Sequence, residues 1–237
     1  MEVLGIIPAR GGSKAIPRKN IALLAGRPLI NYTCKAAKKS KRLTRLIVST
    51  DDKEIAQVCT KNNVEAPFLR PKDLAKDETG MMEVIIHALK TLEEAEKYKP
   101  DIIVLLQPTS PLRTHEHIDA AVDLLIKTGA DSVVSVVHVP HQFNPVSVMK
   151  IENEKLIPFI ESSQILRRQD KPKVYGRNGP AVLAMRREII LKKNSLYGDD
   201  IRPIIMSEEE SVDIDTMFDF KIAEFLLKES QKPSHEI

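Results

Sequence analysis

The chain has 237 residues, 36 Lys+Arg against 33 Asp+Glu for a formal net charge of +3, and 42% hydrophobic with 29% charged residues, which excludes a disordered, collagenous or coiled-coil chain. Two cysteines, Cys34 and Cys59, are too few for a disulfide scaffold or a cysteine-rich zinc module and suit buried thiols in a reducing, cytoplasmic setting. The start MEVLGIIPARGG reads as neither signal peptide nor membrane span, and mixed charge with no Trp, 4 Tyr and 6 Phe speaks against a nucleic-acid partner.

Val3–Pro8 is a continuous apolar run that predicts a buried first strand. Pro28–Ser40 predicts a helix with proline in its first turn. Leu46–Ser49 reads as a strand, Asp52–Asn62 as a helix, and Thr79–Lys97 as a longer helix with Val84, Ile85, Ala88, Leu89 and Leu92 on one stripe. Ile102–Leu106 is a strand stopped by Pro108 and Pro111, and Thr114 caps a helix to Thr128. Ser132–Val137, Ala181–Met185 and Ile204–Met206 are further short strands, Met217–Glu229 a last amphipathic helix, and 231–237 a polar, frayed tail. Strand–helix alternation predicts an α/β fold with a mostly parallel, Rossmann-like sheet covered on both faces. Ligands of such sheets bind beyond the carboxyl ends of the strands. The stretch from about 140 to 175 breaks the rhythm with Pro140, Pro145, Pro158 and Pro172, and is too long for a simple connection. It predicts a dimer arm or a lid.

Three segments carry chemistry. After the first strand, Arg10-Gly11-Gly12-Ser13-Lys14 and then Pro17-Arg18-Lys19-Asn20 set glycine amides beside cations and neutral donors. That is what a phosphate-holding loop needs; a solvated basic turn is the alternative. The pattern is neither a Walker A motif nor G-x-G-x-x-G, which excludes a dinucleotide fingerprint. Gln107-Pro108-Thr109-Ser110-Pro111 follows a buried strand, with two prolines stiffening the turn and an amide that can both donate and accept. A plain proline turn opening the next helix is the alternative. Asp213 and Asp215 lie two apart after a short strand, so both carboxylates can face one hard cation such as Mg²⁺; Asp215 also suits the N-cap of the Met217 helix. His115 and His117 do not share a helical face and lack a third ligand, so no zinc site is expected.

These segments, in order with Ser49-Thr50-Asp51, Leu69-Arg70-Pro71, Leu105–Arg113, Arg177-Asn178-Gly179 and Asp213-Ile214-Asp215-Thr216, resemble the cytidylyltransferases that activate sialic acids and related nonulosonates. The resemblance spans nearly the whole chain. It implies one nucleotidyltransferase (nucleotide-diphospho-sugar transferase) domain over 1–230, with 140–175 as a dimerisation and sugar-site arm of a homodimer. It also implies CTP and a nine-carbon sugar acid as substrates, and Mg²⁺, with Mn²⁺ as a substitute, as cofactor. The nucleotide residues would be Arg10, Gly11, Gly12, Ser13, Lys14, Lys19, Asn20, Arg70 and Gln107. Gln107, Arg168 and Asn178 would face the sugar, Arg168 crossing to the neighbouring subunit; Arg167 is an equal chemical candidate. Asp213 and Asp215 would hold metal, and Arg10, Lys19 and Asp215 would carry catalysis, with no general base assigned.

The nucleotide half of the pattern is intact and the sugar half departs from it. Pro180-Ala181-Val182 stands where many relatives carry an aromatic, and Asn144-Pro145-Val146-Ser147 where N-acetylneuraminate-selective relatives carry a lysine. The acceptor therefore stays open among nonulosonates, with a deoxyoctulosonate or a phosphonate as the rival. A nucleotide-binding homologue without turnover is the reading from a different class.

Overall fold

The computed structural model describes residues 1–160 and 167–230. The tail expected at 231–237 and part of the 140–175 arm lie outside the described residues. In chain order the elements are β1 (Val3–Pro8), β2 (Leu23–Leu24), β3 (Arg27–Pro28), α1 (Leu29–Lys39), β4 (Arg45–Ser49), α2 (Lys53–Lys61), α3 (Met81–Glu96), β5 (Ile102–Leu105), α4 (His115–Thr128), β6 (Ser132–His138), β7 (Met149–Glu152), β8 (Lys155–Pro158), β9 (Tyr175–Arg177), β10 (Leu183–Arg186), α5 (Arg187–Lys193), β11 (Ile201–Met206) and α6 (Met217–Glu229). Among the described residues no helix is long and apolar enough to cross a membrane.

The main sheet has the order β11-β6-β10-β5-β1-β4, with β9 added on β6. Every residue of β1 is buried, as its apolar run requires of a strand covered on both faces. Side chains alternate across it: Val3 and Ile7 pack with α1, α2 and α4 through Ile30, Cys34, Ile55 and Val122. Leu4 and Ile6 pack on the other face with Ile85 and Leu89 of α3 and Ile190 of α5. Cys34 and Cys59 are free, buried thiols with sulfurs 4.0 Å apart, matching the expected structural role. A third cluster joins Ile16 and Leu24, after the first loop, to Ile214, Ala223 and Leu227, and so docks α6 beside that loop.

The sheet is mixed, which corrects the mostly parallel expectation. β4, β1 and β5 are parallel, and β11 is parallel to β6, but β10 runs antiparallel to both β5 and β6, and β9 antiparallel to β6. The cause is the connection. Among the described residues no α-helix lies between β6 and β10, and without a crossover helix a chain returns antiparallel. The 140–175 stretch instead projects a hairpin, β7–β8, that the proline-rich sequence did not reveal.

The reversal positions the site. The carboxyl ends of β1, β4 and β5 meet at one edge, in the registers Pro8↔Ser49 and Ile6↔Leu105. β10 begins at that same edge, with Leu183 opposite Leu105, so the residues preceding it arrive beside the 107–110 turn. β11 ends there too, with Met206 opposite Val137, and delivers residues 207–216.

Candidate active site

A cavity of about 380 Å³ opens at this edge. Of the residues singled out from the sequence, Arg10, Gly12, Ser13, Lys19, Asn20, Arg70, Gln107, Asp213 and Asp215 all line it. They come from positions up to about two hundred residues apart.

The first loop is held by its own contacts. The Gly11 amide donates to Asp51 Oδ1 at 2.9 Å, and a Cβ at Gly11 would meet Asp52 Oδ2 at 2.7 Å. Gly11 is thus required for close packing on the residues after β4, and its amide already has a partner. Gly12 has open space around its Cα and faces the cavity. Asn20 Nδ2 donates to the Arg10 carbonyl at 2.9 Å, closing the loop on itself. Arg18 pairs with Asp52 and Glu54, both at 2.9 Å, which fastens the loop to the start of α2. Lys19 Nζ donates to the Ile214 carbonyl at 2.7 Å and lies 3.6 Å from Asp215 Oδ1, tying the cationic loop to the acidic segment. Lys14 is outside the cavity lining, its side chain 84% exposed and paired with Asp77.

Arg70 is buried (5% exposed), its Nε has no partner, and it forms no ion pair among the described residues. Burial is the main influence lowering its pKa, with Asp51 opposing and Arg10 adding to the effect. A buried, unpaired guanidinium at a cavity wall is an open anion site.

Gln107 Nε2 donates to the Gly179 carbonyl at 2.7 Å, so its amide nitrogen is engaged and its oxygen is left for a ligand. Behind it, the fully buried Arg113 donates from Nη1 to the carbonyls of Gln107 and Ala181, each at 3.1 Å, and burial pushes its pKa down to about 10. It remains charged at neutral pH and fixes the turn from beneath.

Gly179 has φ +111°, and a Cβ there would meet Asp213 Oδ2 at 3.1 Å and Ser110 Oγ at 3.3 Å. Only glycine satisfies both demands. The Gly179–Pro180 peptide is cis. Asn178 does not line the cavity. It is 5% exposed, accepts from Ser135 Oγ at 2.6 Å and donates to Ser211 Oγ at 2.9 Å, bracing the strand ends from inside.

The acidic segment is fixed by Ile214 N donating to the Thr109 carbonyl at 2.9 Å. Asp213 Oδ1 is buried and has no hydrogen-bond partner. Burial raises the Asp213 pKa, reinforced by Asp215 and opposed by Thr109 and Lys19. The expected alternative for Asp215 as helix N-cap is corrected: Thr216 caps α6 in a reciprocal box with Asp219, and the Asp215 side chain stays 79% exposed. No group of three or more His, Cys, Asp or Glu with metal-site geometry occurs among the described residues. An orphaned buried carboxylate oxygen beside a second carboxylate still fits Mg²⁺, which takes one or two carboxylates and completes its shell with phosphate oxygen and water.

Arg168 lies elsewhere. It lines a separate cavity of about 570 Å³ with His138, His141, Asn144 and Lys171. The hairpin nearby exposes Ile151 (74%) and Leu156, and Phe143 and Phe159 beside it are also exposed. Asp77 was missed from the sequence, since an acid in a mixed-charge polar loop carries no local signal. Asp51, in the Ser49-Thr50-Asp51 segment, accepts from the Gly11 amide.

The chain matches the cytidylyltransferase family over residues 4–224. It is 37% identical over 234 residues to the CMP-N,N'-diacetyllegionaminic acid synthase of Legionella pneumophila, covering 98% of this chain and 99% of that one. It is 30% identical to the N-acylneuraminate cytidylyltransferase of Escherichia coli, covering 94% of this chain and 51% of that protein. The fold is similar to that of a CMP:2-keto-3-deoxy-manno-octonic acid synthetase complexed with CTP, with a TM-score of 0.73, 15% identity, and 97% and 100% of the two chains covered. The nucleotide-side motifs and these matches lead to one conclusion: the chain belongs to the cytidylyltransferase family, with the nonulosonate, CMP-sialic acid synthetase-like members.

Proposed function

We propose that the protein transfers CMP from CTP to the anomeric hydroxyl of a nonulosonic acid and releases pyrophosphate. The observation that carries this reading is the convergence in one cavity of Arg10, Lys19 and the unpaired Arg70 with Asp213 and Asp215. Arg10, Ser13, Lys14 and Lys19 would hold the triphosphate, and Arg10 and Lys19 would stabilise charge on the departing pyrophosphate. The Gln107 oxygen would face the nucleotide or the sugar. Asp213 and Asp215 would hold Mg²⁺, or Mn²⁺ in its place, which when bound supplies neutralisation of phosphate charge. Fixing both substrates at one strand edge supplies the alignment that an in-line displacement needs.

The 140–175 arm would pair two copies, and Arg168 would offer a two-pronged guanidinium to the acceptor carboxylate in the neighbouring subunit. The exposed apolar residues of the arm support this, as does the separation of Arg168 from the other site residues within one chain. Whole-length similarity to a CMP-N,N'-diacetyllegionaminic acid synthase makes that acid the first acceptor to test. The experiment is pyrophosphate release from CTP and Mg²⁺ across a panel of legionaminic, pseudaminic, neuraminic and deoxyoctulosonic acids. Release with a nonulosonate is expected; CTP binding with no release for any acceptor would refute the activity.

A further inference from the structure

Asp77 lies between the turn at Lys72–Leu74 and α3, and its two oxygens engage two cations of the first loop. Oδ1 pairs with Arg10 Nη1, and Oδ2 lies 2.6 Å from Lys14 Nζ. Leu74, Ala75, Lys76 and Thr79 of the same segment line the cavity that holds the first loop. A carboxylate bridging two cations through separate oxygens presents what two oxygens of one phosphate group would present.

The other cations of this loop are bound differently. Arg18 is fixed to the start of α2, and Lys19 to the carbonyl between the two candidate metal carboxylates. Arg10 and Lys14 instead share one acid, Asp77, on the connection between the Lys72–Leu74 turn and α3. The Arg10, Lys14 and Asp77 side chains are 35%, 84% and 41% exposed, and ion pairs this open to water are weak and exchangeable. Lys14 first and then Arg10 hold the Asp77 carboxyl below the usual range, so it is ionised at neutral pH.

We propose that Asp77 is an internal anion that occupies the Arg10–Lys14 nest when no polyphosphate is bound. A triphosphate or pyrophosphate displaces it and moves the 72–79 segment off the nest. In the free protein the carboxylate offsets repulsion among the clustered cations. As product forms, it competes with pyrophosphate for the same two side chains and speeds its departure. The inference rests on the reading of this cavity as a polyphosphate site.

The test is calorimetric binding of sodium pyrophosphate to the purified full chain, with no CTP, acceptor or divalent cation. Asp77→Asn should bind pyrophosphate about fivefold to tenfold more tightly than the unaltered chain, the scale of one or two exposed ion pairs. Asp73→Asn removes the same charge from the same segment, where it lies 3.4 Å from Lys76, and should stay within about twofold because exposed charges off the nest are screened. Asp77→Glu should restore most of the competition. Asp77→Asn binding that is no tighter, including no binding by either protein, overturns the proposal, as does equal tightening by Asp73→Asn. Hydrogen exchange adds a second reading: pyrophosphate should raise exchange across 72–79, and unchanged protection would overturn the displacement. Neither measurement uses turnover. Failure of cytidylyl transfer would therefore remove the proposed activity and leave this result standing, while unchanged affinity would remove only the role of Asp77.

Discussion

The first loop and the 140–175 arm are both basic and proline-bearing, yet they differ in where their contacts end. The loop closes on the rest of the chain through Gly11 on Asp51, Arg18 on Asp52 and Glu54, and Lys19 on the Ile214 carbonyl. The described part of the arm is tied mainly to itself, as in Arg167 with Asp170 and Lys171 with Ser147, and leaves Ile151 and Leu156 facing water. A loop fastened from several sides is preorganised to hold charge. A hairpin with an uncovered apolar surface is suited to meet another surface.

The largest expected effect lies on the preorganised side. Asp215→Ala should lower pyrophosphate release by about 10²-fold, about 3 kcal/mol of transition-state stabilisation. Near-native turnover at saturating Mg²⁺ would show that Asp215 holds no metal. Asn178→Ala should cost about 2 kcal/mol of stability in denaturant unfolding, because the buried Ser135 hydroxyl loses its acceptor and the half-buried Ser211 hydroxyl its donor. A loss confined to acceptor KM, with stability unchanged, would instead place Asn178 at the sugar.

Asp213→Asn should stabilise the ligand-free protein at neutral pH by about 1 kcal/mol, or about 2–4 °C in Tm, while also lowering activity. The sign follows from the raised pKa of Asp213. The folded state binds the proton more tightly than the unfolded chain, so stability falls as pH rises from the unfolded carboxylate range, about 3.9, through the folded value. The advantage of the variant should therefore fade on acidification; an advantage constant with pH would contradict the burial argument.

The smallest expected effect on folding is in the arm. Ile151→Lys with Leu156→Lys should alter unfolding by no more than about 0.5 kcal/mol, since both side chains are exposed. Sedimentation should nonetheless show loss of the proposed dimer. A dimer that survives both changes would locate the subunit contact elsewhere.

Local pattern made much of this molecule legible. The apolar runs that became β1 and β5, the helical stripe of α3, the cationic residues after Pro8 and the carboxylates two apart near residue 214 are all adjacent or periodic in the chain. Their spacing states their geometry directly. The direction of β10 was not legible, because it depends on how the chain connects β6 to β10 rather than on residues of the strand. The contacts of Asn178 were not legible either, since an asparagine before a glycine looks the same whether its amide meets a ligand or the hydroxyls of Ser135 and Ser211.

Composition, strand–helix alternation and the charged motifs established an α/β chain with a basic loop and an acidic pair, because those properties depend on near neighbours. Folding assigned the partners: Asp77 to Arg10 and Lys14, Gly179 to Gln107, Ile214 to Lys19, and none to Asp213 Oδ1. Those groups lie far apart in the chain and meet because β1, β4, β5, β10 and β11 present the relevant ends at one sheet edge. Whether a charge is answered or left open depends on that meeting, and the chemistry of the site follows from it.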